Sequence, residues 1–164
     1  MSGEFDPLAA LRALSEGGVE FVLIGGVAAR IHGSPTLTRD VDICPARDLA
    51  NLERLSLALR LLHARLRGMD EEAPFVLDAR TLSAGGSFTF VTDVGDLDIL
   101  AVPAGVDGYE GLVQAAIPID LGGVVVKVCT LDDLIAMKIA AARPKDLIEV
   151  EVLSALRDEV ADRG

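Results

Sequence analysis

Asp40 and Asp42 stand two residues apart in the stretch DVDIC. Alternation along an extended chain sends both carboxylates to one face and Val41 and Ile43 to the other. Two like charges on one face are unfavourable unless they are solvated, protonated or bridged by a cation, and Mg²⁺ held between carboxylates and substrate phosphates is the common resolution. Gly25-Gly26 precedes this pair in sequence, after the apolar run 21–24 and before a short helix-like segment at 27–31. Where a strand hands over to a helix N-terminus, glycines let backbone N–H groups approach an anion closely, and the helix dipole adds partial positive charge. Taken singly, a glycine pair is more often a plain turn and D-x-D a solvated strand edge; within 21–44 the two stand together, an anion cradle followed by a cation site.

The elements that must position these groups follow from periodicity. Asp6-Pro7 opens a first helix that Gly17-Gly18 stops. Residues 20–24 read as a central strand covered on both faces, Gly33-Ser34-Pro35 as a break, and 41–44 as a second strand. From 48 to about 67 an amphipathic helix is predicted, with Leu49, Leu52, Leu55, Leu59, Leu62 and Leu66 at spacings of three and four. Arg60, His63 and Arg67 fall on its other side, where they read as a solvated face or as a path for an RNA backbone. Residues 68–74, with Asp70, Glu71 and Glu72, read as a loop. A hairpin is predicted from 87–92, a turn at 93–95 and a strand over 96–102, which aligns Asp96 with Asp98; an acid flanked by Leu97, Ile99 and Leu100 needs a partner. A short helix at 107–115 precedes a second hairpin, 117–121 with 124–128, closed by Gly122-Gly123. Thr130 then caps a helix whose core stripe is Leu131, Leu134, Ile135, Ile139 and Ala142. Lys138 falls inside that stripe and must either snorkel out or meet an anion. Arg143-Pro144-Lys145-Asp146 opens the last helix. The expected architecture is α/β: a mixed twisted sheet flanked by helices, one domain over 1–164 with its core at about 19–128, and C-terminal helices over about 130–163 closing a cleft.

Composition narrows the classes. Hydrophobic residues make up 51% of the chain, ample for a core, yet charged residues interrupt every long apolar segment, so no membrane span is expected. The N-terminal residues carry acids rather than a basic segment followed by an apolar one, which points to a cytoplasmic protein. Cys44 and Cys129 lack metal-ligand spacing and read as buried thiols in a reducing compartment. A net charge of −11 disfavours a protein that embraces a long nucleic acid. It suits a small substrate, or contact with only the end of a nucleic acid.

The order "apolar strand, GG, short helix, HG, then T-x-D-x-D-I" across 21–43 resembles the nucleotidyltransferase superfamily that includes DNA polymerase β and the minimal nucleotidyltransferases, and it is most similar to the AbiEii/MenT-type toxins of bacterial toxin–antitoxin systems. The resemblance extends to the end of the chain, where Lys138 to Asp146 matches a "K-x-A-x-x-R-x-K-D" signature. It implies that Asp40 and Asp42 ligate Mg²⁺ or Mn²⁺, and that Asp98, in the "G-x-L-D" strand, is the third catalytic and metal-binding carboxylate, with Asp96 the lesser substitute. It further implies active-site roles for Lys138 and Asp146, triphosphate binding by Arg143 and Lys145, and a phosphate cradle at Gly25 and Gly26. Two positions depart from the pattern. Gly26 stands where many members carry Ser, so that a hydroxyl contact to phosphate is either missing or comes from Ser34 or Thr36, and Thr36 stands near where an Arg is expected. Thr38 occupies the place that a kinase-like antitoxin phosphorylates in some relatives. The implied activity is metal-dependent transfer of NMP from an NTP to a tRNA 3′ end, blocking translation. Rival readings are an aminoglycoside-type antibiotic nucleotidyltransferase, an antitoxin-type minimal nucleotidyltransferase that adenylylates a partner protein, and a non-catalytic nucleotide-binding module.

Overall fold

The structure, a computed structural model, describes residues 3–68 and 75–163; the acidic loop expected at 68–74 lies almost wholly outside them. Helix α1 (Pro7–Glu16) begins where the Asp6 carboxylate accepts a hydrogen bond from the Ala9 amide at 3.0 Å. Strand β1 (Phe21–Ile24) is buried along its whole length and runs straight into α2 (Gly25–Ile31). Strand β2 (Asp40–Pro45) returns antiparallel to β1, setting Asp42 opposite Ile24.

Helix α3 (Leu49–Leu61), capped by Asp48, ends earlier than its leucine spacing predicts. The reason is local backbone geometry: His63 takes a left-handed conformation, φ 53°, and the chain then extends as β3 (Arg65–Leu66) against Val91 and Phe90. Leu52, Leu55 and Leu59 are buried from the helix, while Leu66 reaches the core from the strand. A short helix without a clear apolar period, α4 (Ala79–Ala84), is fixed by Asp78, which accepts from the Thr81 amide at 2.8 Å.

Strands β4 (Ser87–Thr92) and β5 (Gly95–Leu100) form the first predicted hairpin, with Thr92 paired to Gly95. After α5 (Gly108–Ala115), β6 (Ile117–Asp120) and β7 (Val125–Val128) form the second. Helix α6 (Leu131–Ala141), capped by the Thr130 hydroxyl, and α7 (Pro144–Arg163) complete the chain. The sheet order is β3-β4-β5-β2-β1-β7-β6. Pairs β2–β5 and β1–β7 are parallel and the rest antiparallel, which is the mixed α/β sheet expected.

The core joins α1, α3, α5 and α6 to the central strands through residues such as Leu14, Leu23, Ile43, Leu59, Leu112 and Leu134. Burying each such side chain contributes about 1.5–3 kcal/mol. Two polar clamps fix the strand ends. Buried Asn51 accepts from the Glu20 amide at 2.7 Å and donates to the carbonyls of Glu20 and Ala46, tying the start of β1 to the end of β2. His32 donates from Nε2 to the Cys129 carbonyl at 2.7 Å, tying α2 to the exit of β7. Cys44 and Cys129 are free and buried, and burial pushes the Cys44 thiol up to about 12. Among the described residues no helix is long and apolar enough to cross a membrane.

Candidate active site

Parallel pairing of β2 with β5 sets Asp40 opposite Asp96 and Asp42 opposite Asp98, so all four acids share one face of the sheet. Asp96 is drawn aside into an ion pair with Arg67 at 3.4 Å. The other three converge: one ligand oxygen from each of Asp40, Asp42 and Asp98 lies within 4.8 Å of the others. Thr89, opposite Asp98 on β4, donates its hydroxyl to that carboxylate. The Oδ1 atom of Asp98 is buried and has no hydrogen-bond partner among the described residues.

Burial first, and then the charge of Asp40 and a hydrogen bond with Asp98, raise Asp42 from its ordinary 3.8 to about 8. Burial likewise raises Asp98. Of the three outcomes open to like charges on one face, the burial of Asp42 and Asp98 favours a shared proton or a bridging cation over solvation. The donor set fits a hard divalent cation: three carboxylates at one spot, one of whose buried oxygens lacks a partner.

The glycine pair has a steric reason beyond phosphate approach. Gly25 has φ +70°, and a Cβ there would fall 2.0 Å from Asp42 Oδ2; one on Gly26 would fall 2.6 Å from Thr38 Oγ1. The bare backbone is thus the floor on which Asp42 and Thr38 rest, and the Gly26 amide donates to the Asp42 carboxylate. Thr38 in turn directs its hydroxyl at Asp40 Oδ1, 3.2 Å away.

Opposite the acids stand the cations of the α6–α7 corner, where Ala142 turns the chain in a left-handed conformation, φ 54°. Asp146 is completely buried there. It accepts from Arg143 Nε at 2.6 Å, from the Arg143 amide at 3.2 Å and from Lys138 Nζ at 3.4 Å. The Arg143 side-chain bond is the main cause that lowers Asp146 to about 2. Lys138 meets this anion, and the stripe read from spacing stops at Ile135, because Ile139 is 55% exposed and Ala142 is the left-handed residue that ends α6.

The cleft between acids and cations has two lobes that share Asp42, Asp98, Lys138 and Arg143. One, of about 370 Å³, has an apolar wall of Ile24, Leu100, Pro103, Ala104, Leu134 and Met137, with Gly25 and Asp146 at its rim. The other, of about 400 Å³, is lined by Gly26, Thr36, Thr38, Arg39, Asp40, Lys145 and Glu149.

The cleft thus gathers every predicted site residue except Ser34. That side chain is buried, and its hydroxyl donates to Glu149 Oε1 at 2.9 Å; the Thr36 hydroxyl is likewise committed to Glu149 Oε2 at 2.7 Å. Arg60, His63 and Arg67 line neither lobe: Arg60 donates to the Leu77 carbonyl, His63 pairs with Asp93 and Arg67 with Asp96. Arg39, Thr89, Glu149 and the apolar wall were not anticipated. Arg39 lies inside the T-x-D-x-D motif and was legible as a nearby base; Thr89 and Glu149 reach the site only through strand and helix pairing.

No protein-family model matches the chain, and no curated protein matches it in sequence. Solved structures share its fold. The solution structure of the antibiotic-resistance factor ANT(2″)-Ia aligns over 94% of this chain and 88% of its own, with a TM-score of 0.52 and 16% identity. A crystal structure of ANT(2″)-Ia in complex with adenylyl-2″-tobramycin aligns over 94% of each chain, with a TM-score of 0.53 and 16% identity. A Thermotoga maritima protein assigned as a nucleotidyltransferase covers 94% of this chain and 90% of its own, with a TM-score of 0.50 and 14% identity. At such identities the likeness is one of fold, the mixed α/β fold of nucleotidyltransferases.

Proposed function

We propose that the chain transfers a nucleoside monophosphate from an NTP to an acceptor hydroxyl and releases pyrophosphate. The observation that carries this reading is the convergence of Asp40, Asp42 and Asp98 where the two lobes of the cleft meet, facing Lys138 and Arg143. Asp40, Asp42 and Asp98 would hold Mg²⁺ or Mn²⁺, which would supply Lewis-acid charge at the phosphates. The chain's own residues do the rest. Lys138, Arg143, Lys145 and Arg39 neutralise the triphosphate in the polar lobe, Arg143 as a planar fork and the lysines as point charges. Asp146 holds Lys138 and Arg143 in place. Asp98 activates the acceptor hydroxyl, either by holding the cation beside it so that its proton leaves to solvent or by taking that proton as general base, as the new O–P bond forms and the bond to pyrophosphate breaks. The apolar lobe receives an uncharged ring beside the carboxylates.

For the acceptor we favour the 3′ end of tRNA, the chain acting as the toxin of a bacterial toxin–antitoxin pair in the cytoplasm. The sequence pattern supports it, and a single-stranded end entering a cleft needs no broad basic face on a chain of net charge −11. A kinase-like antitoxin would act at Thr38, where a phosphate adds roughly −1.5 to −2 charge beside Asp40. A second reading is a small polycationic acceptor. The acidic balance favours it, as does the fold shared with a protein crystallised with adenylyl-2″-tobramycin.

Incubating the protein with Mg²⁺ or Mn²⁺, each labelled NTP, and either total tRNA or an aminoglycoside separates these readings. Labelled tRNA supports the first, and a labelled aminoglycoside alone supports the second. Failure to label any acceptor, protein included, with all four NTPs removes the transfer reading.

A further inference from the structure

The buried carboxylate of Glu149 has no part in the chemistry just described, yet it lines the polar lobe. It is 8% exposed, and both its oxygens are taken by hydroxyls from the loop between α2 and β2: Ser34 at 2.9 Å and Thr36 at 2.7 Å. Ser34 Oγ also accepts from the Thr36 amide at 3.2 Å, and Arg30 donates to the carbonyls of Pro35 and Thr36 at 3.3 and 3.2 Å. That loop leads into Thr38, Arg39 and Asp40, which form one wall of the polar lobe. Asp146 lies one helical turn before Glu149 and holds Lys138 and Arg143, which belong to the opposite wall. A carboxylate taken out of water to meet only hydroxyls costs free energy that packing alone does not require.

We infer that Glu149 is a positioning residue for the triphosphate: through Ser34 and Thr36 it fixes the loop that carries Arg39, while Asp146 on the same turn of α7 fixes Lys138 and Arg143. One turn of a helix thereby sets the width of the lobe from both sides. The inference rests on the nucleotidyl-transfer reading and names the device that holds its phosphate end together.

The test measures Mg²⁺-NTP binding by calorimetry and steady-state transfer for wild type, Thr36→Val, Thr36→Ser and Glu149→Gln. Thr36 is exposed and valine matches its shape, so Thr36→Val removes the hydroxyl without emptying the core. Expected for Thr36→Val and Glu149→Gln is a weakening of NTP binding by about tenfold, equivalent to about 1.4 kcal/mol. The KM for NTP rises in step, and kcat falls by no more than about twofold, as expected when the group lost acted on binding rather than on the transition state. Thr36→Ser restores the hydroxyl and recovers wild-type binding. If wild type binds NTP and Thr36→Val binds it equally well, or if Thr36→Ser is as weak as Thr36→Val, the positioning role is wrong while the transfer reading stands. A wild type that binds no NTP overturns both.

Discussion

Replacing Asp42 by Asn should make the metal-free protein more stable, although it removes a residue placed at the centre of the chemistry. In the folded chain burial and the charge of Asp40 lift Asp42 from 3.8 to about 8, so between those values folding takes up a proton. Stability therefore falls as pH rises through that window. At pH 7 the difference spans about three pKa units, and at 1.36 kcal/mol per unit the ceiling is about 4 kcal/mol. Part of the effect belongs jointly to Asp98, with which Asp42 shares the proton, so a gain of about 2–4 kcal/mol is expected from the Asn variant. Asn keeps the shape and can donate its amide to Asp98 as the protonated acid does, without titrating. For a chain of this size that gain raises Tm by about 5–15 °C. Urea unfolding in EDTA at pH 5, 7 and 8 measures it. Wild type should lose stability across the series and Asp42→Asn should not; Mg²⁺ should stabilise wild type strongly and the variant little. An Asn variant less stable than wild type at pH 7, or a wild-type profile flat from pH 5 to 8, would refute the claim that the three carboxylates crowd one desolvated spot.

Other expectations follow from the same geometry. Asp98→Ala should abolish NTP-dependent labelling with an unchanged circular dichroism spectrum; retained labelling removes the role given to Asp98. Gly25→Ala should destabilise by about 1–3 kcal/mol, because alanine is strained at φ +70° and its Cβ meets the Asp42 carboxylate, and thermal unfolding with and without Mg²⁺ should show both the loss and a weakened metal response. Asp146 is held near 2, so its contribution is complete above its ordinary 3.8 and disappears as pH falls through about 2. Asp146→Asn should accordingly cost about 1–2 kcal/mol at pH 7, reduced from the full value because Arg143 is more than half exposed, and almost nothing at pH 2. Urea titrations at the two pH values compare them.

Much of the fold was legible because its signals are local. The Asp6 and Thr130 caps, the glycine pair after an apolar strand, and the two hairpins each declare themselves within a few residues. The Asp40–Asp42 face follows from alternation alone. What escaped depends on partners distant in sequence. Helix α3 stops early because His63 turns left-handed and β3 finds an edge of the sheet, neither of which a leucine spacing reveals. Gly25 and Gly26 read as a cradle for phosphate, yet their backbone is first a floor for Asp42 and Thr38, a contact that exists only once β2 lies beside β1. Glu149 meets Ser34 and Thr36 across more than a hundred residues of chain, with nothing in its neighbourhood to mark it.

The parallel ladder that sets Asp42 level with Asp98 has an implication for how such a chain can change over time. The acids belong to the central strands, where a slip of one residue would turn each to the opposite side and replace it with an aliphatic neighbour. The walls proposed for the triphosphate and the ring draw instead in large part on the loop before β2 and the segment after β5, where insertion is tolerated, and on helices α6 and α7. Selection can therefore rework what the cleft accepts while the carboxylate cluster is inherited whole.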